Sequence, residues 1–418
     1  MSRLPSPVAI TGLGIRCPAG NTPKDVWRTL STARTTLARQ VPEFVADGLP
    51  VTFAATVPEF DIDTYLDARE QRRTDRATAL GLCAATDALS DAGPHDHPPH
   101  RIAVVSGTTF GGITSHEAAF SAGSPPGVGR PGPLHVPMLL VNAAAAMISL
   151  KHAITGPNLC VATACAAGSH AIGEASRLIR HGEADLAIAG GTEAPLTPTT
   201  VLGFDKLGAL SRRITDPASA SRPFDQDRDG FVLAEAAAYL VLERLDLAVA
   251  RGAHIYGLIT GYARTGDAHH LTAPHPEGRS VKACIRAALD DAGCTPDQIT
   301  HINAHGTSTD LNDFIEAAAI SEVFGPRTIP VTSTKSVIGH SLGAAGAVEA
   351  VVSTLTLAER MVHPTVNLSQ LDERCPIDVV TAPRSIPSGP ILSNSFGFGG
   401  HNAALVFAPQ QGPWGQVL

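Results

Sequence analysis

The chain has few aromatics, little charge and no paired cysteines. Aromatic residues make up 5% and charged residues 17% of its 418 positions. No basic excess is present: 31 Lys and Arg stand against 39 Asp and Glu, a formal net charge of −8. That balance argues against a nucleic-acid partner. The absence of a basic run argues against an anionic membrane surface. Seven cysteines, at 17, 83, 160, 165, 284, 294 and 375, give an odd count and no CxxC pair. Neither a disulfide framework nor a zinc knuckle is expected, and a reducing cytoplasm is the natural setting. The opening MSRLPSPVAITG lacks a long apolar core, so no signal peptide is expected. The stretch Ala143 to Leu150 reads as the most apolar and is too short to span a bilayer. His95, His97 and His100 stand in a Pro-rich segment without a cysteine or carboxylate set, and read as a solvated loop rather than a metal site. No glycine loop matches G-x-G-x-x-G or the P-loop in a strand–helix context, so nucleotide binding is not indicated.

What is present is an ordinary globular composition, 44% hydrophobic and rich in Ala and Gly. The length suits two core-forming units or one large duplicated one. Strands are expected over Val8–Thr11, Arg101–Ser106, Asn158–Thr163 and Asp185–Ala189. Helices are expected over Asp25–Ser31, Thr74–Asp91, Pro137–His152 and Ala166–His181. Phe231–Glu243 reads as the start of a second run of the same kind, and Ser121–Pro133 as a loop. The alternation predicts an α/β protein with a largely parallel sheet. The chain also echoes itself. ATDALSDAG from Ala85 matches IRAALDDAG from Ile285, and CAAGSHAI from Cys165 matches GAAGAVEA from Gly343. Two echoes in the same order favour an internal duplication, divided near residue 250.

Four segments carry candidate chemistry. Cys165 follows an apolar strand and opens a helix, where free N–H groups and the helix dipole favour thiolate over thiol. A buried structural cysteine is an equal reading of that position, and the better one for Cys160. His305 ends a strand within Asn303-Ala304-His305-Gly306-Thr307-Ser308-Thr309. Lys335 and His340 precede a Gly- and Ala-rich helix start. Phe396 and Phe398 lie in the glycine loop Asn394–Asn402.

Together these segments resemble the β-ketoacyl synthases of the thiolase fold, in particular the elongating Cys-His-His type. The resemblance rests on VAITGLGIRCPAGN, REQRRTDR, VATACAAG, DLAIAGGTEA, ASRPFDQDRDGFVLAE, DAHHLTAP, NAHGTSTD, KSVIGHSLGAAGAVE and NSFGFGGHN, in that order, from near residue 8 to residue 407. It implies two duplicated α/β halves in a five-layered αβαβα arrangement. Residues 1–250 would carry the nucleophilic cysteine, and 251–418 the two histidines and the lysine.

The resemblance also implies roles. Cys165 would take an acyl group as a thioester, with the N–H groups of Cys165 and Phe398 as oxyanion hole. His305 and His340 would donate to the malonyl thioester oxygen, where charge appears on decarboxylation. Lys335 and Glu349 match a buried ion pair that orients His305. Thr307 and Thr309 match hydroxyls on the phosphopantetheine arm. Phe398 matches a gate, and Phe396 a substrate-lining ring. No metal or redox cofactor is implied, because the substrates ride on the phosphopantetheine of acyl carrier protein. That acidic partner calls for local basic patches, and Arg69, Arg72, Arg73 and Arg76, with Arg212 and Arg213, match docking segments. The family is dimeric through the strand before the nucleophile, so a homodimer is expected, or a heterodimer with a Cys-less chain-length-factor-like subunit.

Departures qualify the match. His401 stands where many relatives carry Thr, and reads as a loop residue as readily as a catalytic one. His269 and His270 are expected to line the mouth. Ala234, Ala236 and Ala238 stand where relatives often carry glycines and suggest repacking. Phe110 falls where relatives often place a smaller aliphatic side chain in the acyl tunnel, which implies short or stiff unsaturated chains. That residue and the replaced glycines tip the expectation toward a type II polyketide ketosynthase over housekeeping fatty-acid elongation. A non-catalytic chain-length-factor-like subunit would lack Cys165. A thiolase would need a second cysteine in loop 397–402, and an initiating synthase an Asn where His340 stands.

Overall fold

The computed structural model describes residues 7–121 and 131–411, and most of the loop expected over Ser121–Pro133 lies outside these. Among the described residues one large sheet has eleven strands: β1 (Val8–Arg16), β2 (Ile102–Gly107), β3 (Asn158–Val161), β4 (Leu186–Glu193), β5 (Ala236–Arg244), β6 (Gly257–Gly266), β7 (His301–Asn303), β8 (Pro330–Thr332), β9 (Asp378–Val379), β10 (Ile391–Gly397) and β11 (His401–Ala408). Their spatial order is β9-β8-β7-β10-β11-β6-β1-β5-β4-β2-β3. Read outward from the middle, β1-β5-β4-β2-β3 repeats as β6-β11-β10-β7-β8, with β9 added at one edge. The two wings meet where Val8, Ala9 and Ile10 pair antiparallel with Ile259, Leu258 and Gly257.

The sheet is not largely parallel. Its outer pairs are parallel, but all pairs around β1, β5, β6 and β11 are antiparallel. Strand–helix alternation foretold the outer pairs; the central ones come from strands whose connections return along the same edge. Phe231–Glu243 therefore does not open a second run. Its strand, β5, completes the first wing between β1 and β4.

Helix α1 (Arg76–Ala92) covers the outer face of β1 and β5. Helices α2 (Ala143–His152) and α3 (Ala167–Arg180) follow in the first half. In the second half, α4 (Arg279–Ala292) covers β6 and β11, α5 (Asp310–Phe324) packs on α4, and α6 (Ala345–Glu359) lies beside α3. Both α3 and α6 touch strands of both wings. The layers thus run α1, sheet wing, α3 with α6, sheet wing, α4 with α5.

Both echoes fall at tight contacts. A Cβ on Gly12 of β1 would lie 2.1 Å from the carbonyl of Ala88 on α1. One on Gly261 of β6 would lie 2.3 Å from that of Ala288 on α4. Ala88 and Ala288 occupy matched places in the first echo, so each repeat seats a helix backbone against a bare strand. In the second echo Gly168 and Gly346 bring α3 and α6 together, since a Cβ on either would strike the other helix.

Two expectations shift. The helix over Pro137–His152 is two helices, His135–Leu139 and α2, separated by Leu140–Asn142. Ala143–Leu150, read as the most apolar stretch, is too short to cross a membrane, but among the described residues Leu342–Glu359, which contains α6, is long and apolar enough. Its apolarity is accounted for by burial in the central layer between the wings.

Candidate active site

The site starts at a turn. After β3, Ala164 adopts a left-handed backbone (φ 50°), rare for a residue with a Cβ, and throws Cys165 into a single 3-10 turn ahead of α3. The Cys165 thiol is buried, and burial pushes its pKa up to about 12. Lys335 opposes that shift, as do the N–H groups of Cys165 and Phe398, which both point at the sulfur. The expectation that the helix terminus favours thiolate is therefore corrected: desolvation outweighs the dipole, and the resting group is a thiol. The Phe398 N–H reaches the sulfur because Gly397 carries no side chain. A Cβ there would stand 2.7 Å from Thr163 O and 3.2 Å from Cys165 N.

His305, at the end of β7, is anchored by its backbone. Its N–H and that of Gly306 donate to the two carboxylate oxygens of Glu316 on α5, each at 2.8 Å. Lys335 Nζ lies 3.2 Å from His305 Nδ1, donates to His305 O at 2.7 Å and pairs with Glu349 on α6. An ammonium can only donate, so Nδ1 accepts and the ring proton sits on Nε2. Burial, with Lys335 close by, drives the pKa values of His305 and His340 well below the usual imidazole range. Both rings are neutral, and a neutral ring keeps one N–H to donate. Their centroids are 5.4 Å apart at an interplanar angle of 85°.

One cavity of about 310 Å³ gathers Cys165, His305, His340, Thr307, Thr309, Phe396 and Phe398. Thr307 and Thr309 share a hydrogen bond of 2.8 Å between their hydroxyls. Phe396 stands edge-on to His305 at 5.7 Å. Lys335 and Glu349 lie behind this wall, each fully buried. The arrangement offers a nucleophile under two N–H donors and, in the same space, two neutral imidazoles. Such a space can stabilise negative charge on a thioester oxygen.

The comparisons with known proteins agree with this chemistry. Residues 5–248 match the family model "Beta-ketoacyl synthase, N-terminal domain", and residues 256–369 match "Beta-ketoacyl synthase, C-terminal domain". The chain belongs to the β-ketoacyl synthase family. It is accordingly an acyltransferase with the thiolase-like fold, and its relatives are 3-oxoacyl-[acyl-carrier-protein] synthases. One of them, 3-oxoacyl-[acyl-carrier-protein] synthase 2 of Synechocystis sp., is 43% identical over 409 residues, 97% of this chain and 98% of the relative. Among solved structures, a type II PKS acyl-carrier protein in complex with its ketosynthase bound to the hexaketide matches with a TM-score of 0.89. The identity is 32%, over 97% of this chain and 99% of the other. The ishigamide ketosynthase/chain length factor matches with a TM-score of 0.87 and 33% identity, over 97% and 99%.

The remaining expected residues of this β-ketoacyl synthase divide by position. Phe110 does not line the cavity. It packs half-buried in the apolar cluster that holds Cys165 and Phe398, edge-on to Phe204 at 6.3 Å. Arg212 and Arg213 follow closely on rim residues Leu207–Ala209, and each pairs with an aspartate, Arg212 with Asp205 and Arg213 with Asp229. Arg69, Arg72 and Arg73 are exposed without an ion pair among the described residues, but Arg76 is held by buried Glu235. This run lies beside α2, through the Glu70–Lys151 pair, and not at the cavity rim.

Among the histidines, His401 sits at the start of β11 with its ring 6.4 Å from that of His170. His269 and His270 do not line the cavity. His270 Nδ1 accepts from the N–H groups of Thr272 and Ala273, and these two residues with Pro274 form the wall. The His95–His100 segment is also not simply solvated, because His97 bonds the buried Glu243 at 2.8 Å.

Several site residues escaped the sequence reading. Glu316 was marked only by being a carboxylate on the mostly apolar helix α5. Phe231, 5.2 Å from the His340 ring, lies in a segment read only as packing. Asp267 and Asn402 line the cavity and bond each other at 2.8 Å.

Proposed function

We propose that this cavity performs decarboxylative condensation between malonyl-carrier protein and an acyl group held on Cys165. The Cys165 thiol attacks an acyl thioester. A new C–S bond forms, the pantetheine thiol leaves, and the thiol proton goes with it. Malonyl thioester then loses CO2, the Nε2–H of His305 and the N–H of His340 hold the enolate oxygen, and the carbanion attacks the acyl-Cys carbonyl. The C–S bond breaks, a 3-oxoacyl thioester departs, and the Cys165 sulfur takes up a proton from solvent to return to the thiol. The N–H groups of Cys165 and Phe398 would hold the tetrahedral oxyanion. Thr307 and Thr309 would meet the pantetheine arm, with Phe396 and Phe398 enclosing it. Lys335, Glu349 and Glu316 would hold His305 in place. Atoms and electrons balance without a redox cofactor, and release of CO2 supplies the drive.

A single observation supports this most: Lys335 fixes the His305 tautomer so that its free N–H shares a cavity with an N–H-capped cysteine. Intact-mass measurement after incubation with acyl carrier proteins tests it. An acyl mass gain on the wild type that disappears in Cys165→Ala is expected, and a gain surviving that substitution would overturn the assignment.

For the pathway we keep the type II polyketide reading, with carrier protein docking over the arginine patches. The partner would be a Cys-less chain-length-factor-like chain, or a second copy; the ishigamide neighbour is named with a chain length factor. Phe110 beside the cysteine supports it. The 43% identity to a synthase 2 supports the second reading, a homodimeric fatty-acid elongation enzyme of the cytoplasm. In either case β3 is an open edge strand bearing exposed Leu159. Exposed Val136 and Leu150 come from the two helices before it, and Leu140 and Val141 from the link between them. This is the face expected to meet the partner. Co-purification with a Cys-less synthase-like chain would decide for the polyketide reading.

A further inference from the structure

β4 ends at Glu193, a carboxylate that takes no part in the chemistry above and has no exposed surface. Its two oxygens are saturated by four donors. One oxygen accepts from the N–H of Phe110 and the hydroxyl of Thr108, both at 3.1 Å. The other accepts from the N–H of Thr109 at 2.5 Å and of Gly343 at 3.1 Å. Burial pushes the carboxyl up to about 7, even though the N–H groups of Thr109 and Phe110 and the Thr108 hydroxyl oppose the shift.

Gly343 gives this contact its meaning. It is the internal counterpart of Cys165, since CAAG at 165 matches GAAG at 343. The residue before each is left-handed, Ala164 at φ 50° and Leu342 at φ 47°. The first half's turn aims its N–H at the cysteine sulfur, and the second half's turn aims the matching N–H at Glu193. A Cβ at 343 would meet Thr109 N at 2.5 Å and a Glu193 oxygen at 2.6 Å. The second turn has no room for a nucleophile and holds the side chain of Glu193 instead.

We propose that Glu193 is a positioning residue for acyl-chain selection: it ties the Thr108–Phe110 segment to the second turn and so fixes the Phe110 ring in the cluster around Cys165. The proposal rests on Cys165 being the acyl carrier. Without the tie, Phe110 N–H has no other partner, and the ring is held only by its packing on Phe204 and by the segment's bonds to Val161 O and Leu139 O, which leaves it room to move from the place an acyl chain would take.

Glu193→Gln tests this selectively. Of the four donors only the Thr108 hydroxyl can turn round and accept. The glutamine amide therefore keeps its oxygen toward Thr109 and Gly343 and its NH2 toward Thr108 and Phe110. The Phe110 N–H then faces a donor and is released. The measurement is kcat/KM for octanoyl- against acetyl-carrier protein in wild type, Glu193→Gln, Phe110→Ala and the double variant. The octanoyl-to-acetyl ratio is expected to rise about tenfold in Glu193→Gln, within the range that pocket contacts command. It should rise no further when Phe110→Ala is added, because both act on one ring. An unchanged ratio, or effects that simply add, would overturn the proposal. Should Glu193→Gln fail to fold, Glu193→Asp, whose carboxylate is one methylene shorter and draws back from the Phe110 N–H, replaces it with the same criteria. A wild type that takes no acyl group on Cys165 would instead refute the condensing reading itself, a result visible by mass before any ratio is measured.

Discussion

Replacing Gly397 by alanine would test the geometry of the nucleophile turn with one methyl group. The new Cβ would lie 2.7 Å from Thr163 O, where ordinary contact begins at 3.4 Å. The glycine loop must recede by about 0.7 Å to relieve that overlap. A hydrogen bond of about 2.9 Å to an oxyanion would lengthen to about 3.6 Å, beyond useful range. The Phe398 N–H, next in the chain, is the donor that moves. Loss of one such donor costs about 10²- to 10³-fold in kcat, or about 2.7–4 kcal/mol of transition-state stabilisation. Overpacking costs a further ~1–3 kcal/mol of fold stability, so thermal unfolding is followed in parallel. The assay is rapid-quench mass measurement of Cys165 acylation, followed by steady-state condensation. Gly203→Ala is the control, because a Cβ there meets nothing within 4 Å. If Gly397→Ala stays folded and retains kcat within threefold of wild type, the Phe398 N–H is not an oxyanion donor and the argument fails.

Three further outcomes are expected. Alkylation of Cys165 should rise about tenfold per pH unit between pH 7 and 9 without levelling, because a thiol pushed up to about 12 is far from titrated there; a plateau below pH 8 would contradict the burial argument. Lys335→Met should destabilise by ~3–5 kcal/mol in chemical denaturation, since it strands Glu349 in the core. Adding Glu349→Gln should restore much of that loss, and a double variant no more stable than the single would refute the pairing. Leu159→Arg, on the open edge of β3, should convert the assembled protein to monomer in sedimentation velocity; an unchanged sedimentation coefficient would place the interface elsewhere.

The site was legible in the sequence wherever a residue type announced its own chemistry. Cys165, His305, Lys335 and His340 stand in glycine-rich segments, and the fold brings all four to one place. The echoes were legible too, because close backbone approach demands Gly and Ala at fixed positions. Strand direction was not: apolar alternation is the same for parallel and antiparallel pairing, and only the connections decide. The state of the Cys165 thiol was misread because a helix terminus is visible in one dimension and burial is not. Glu193 and Glu316 stayed hidden for a related reason. Their partners are backbone N–H groups, which every residue carries, so no side-chain pattern flags them.

The pairing of β1 bears on how the chain is made. This wholly buried strand closes against Ala237–Arg244 and Gly257–Ile259. More than two hundred residues separate it from either partner. At ribosomal speeds of roughly 5–20 residues per second, β1 waits on the order of 10 to 50 s for a neighbour. The first strand of the sheet to be synthesised, it waits through more chain for its neighbours than any other strand described. The two wings can join only when translation is well past the middle, and until then an apolar strand with open edges must be kept from other nascent chains.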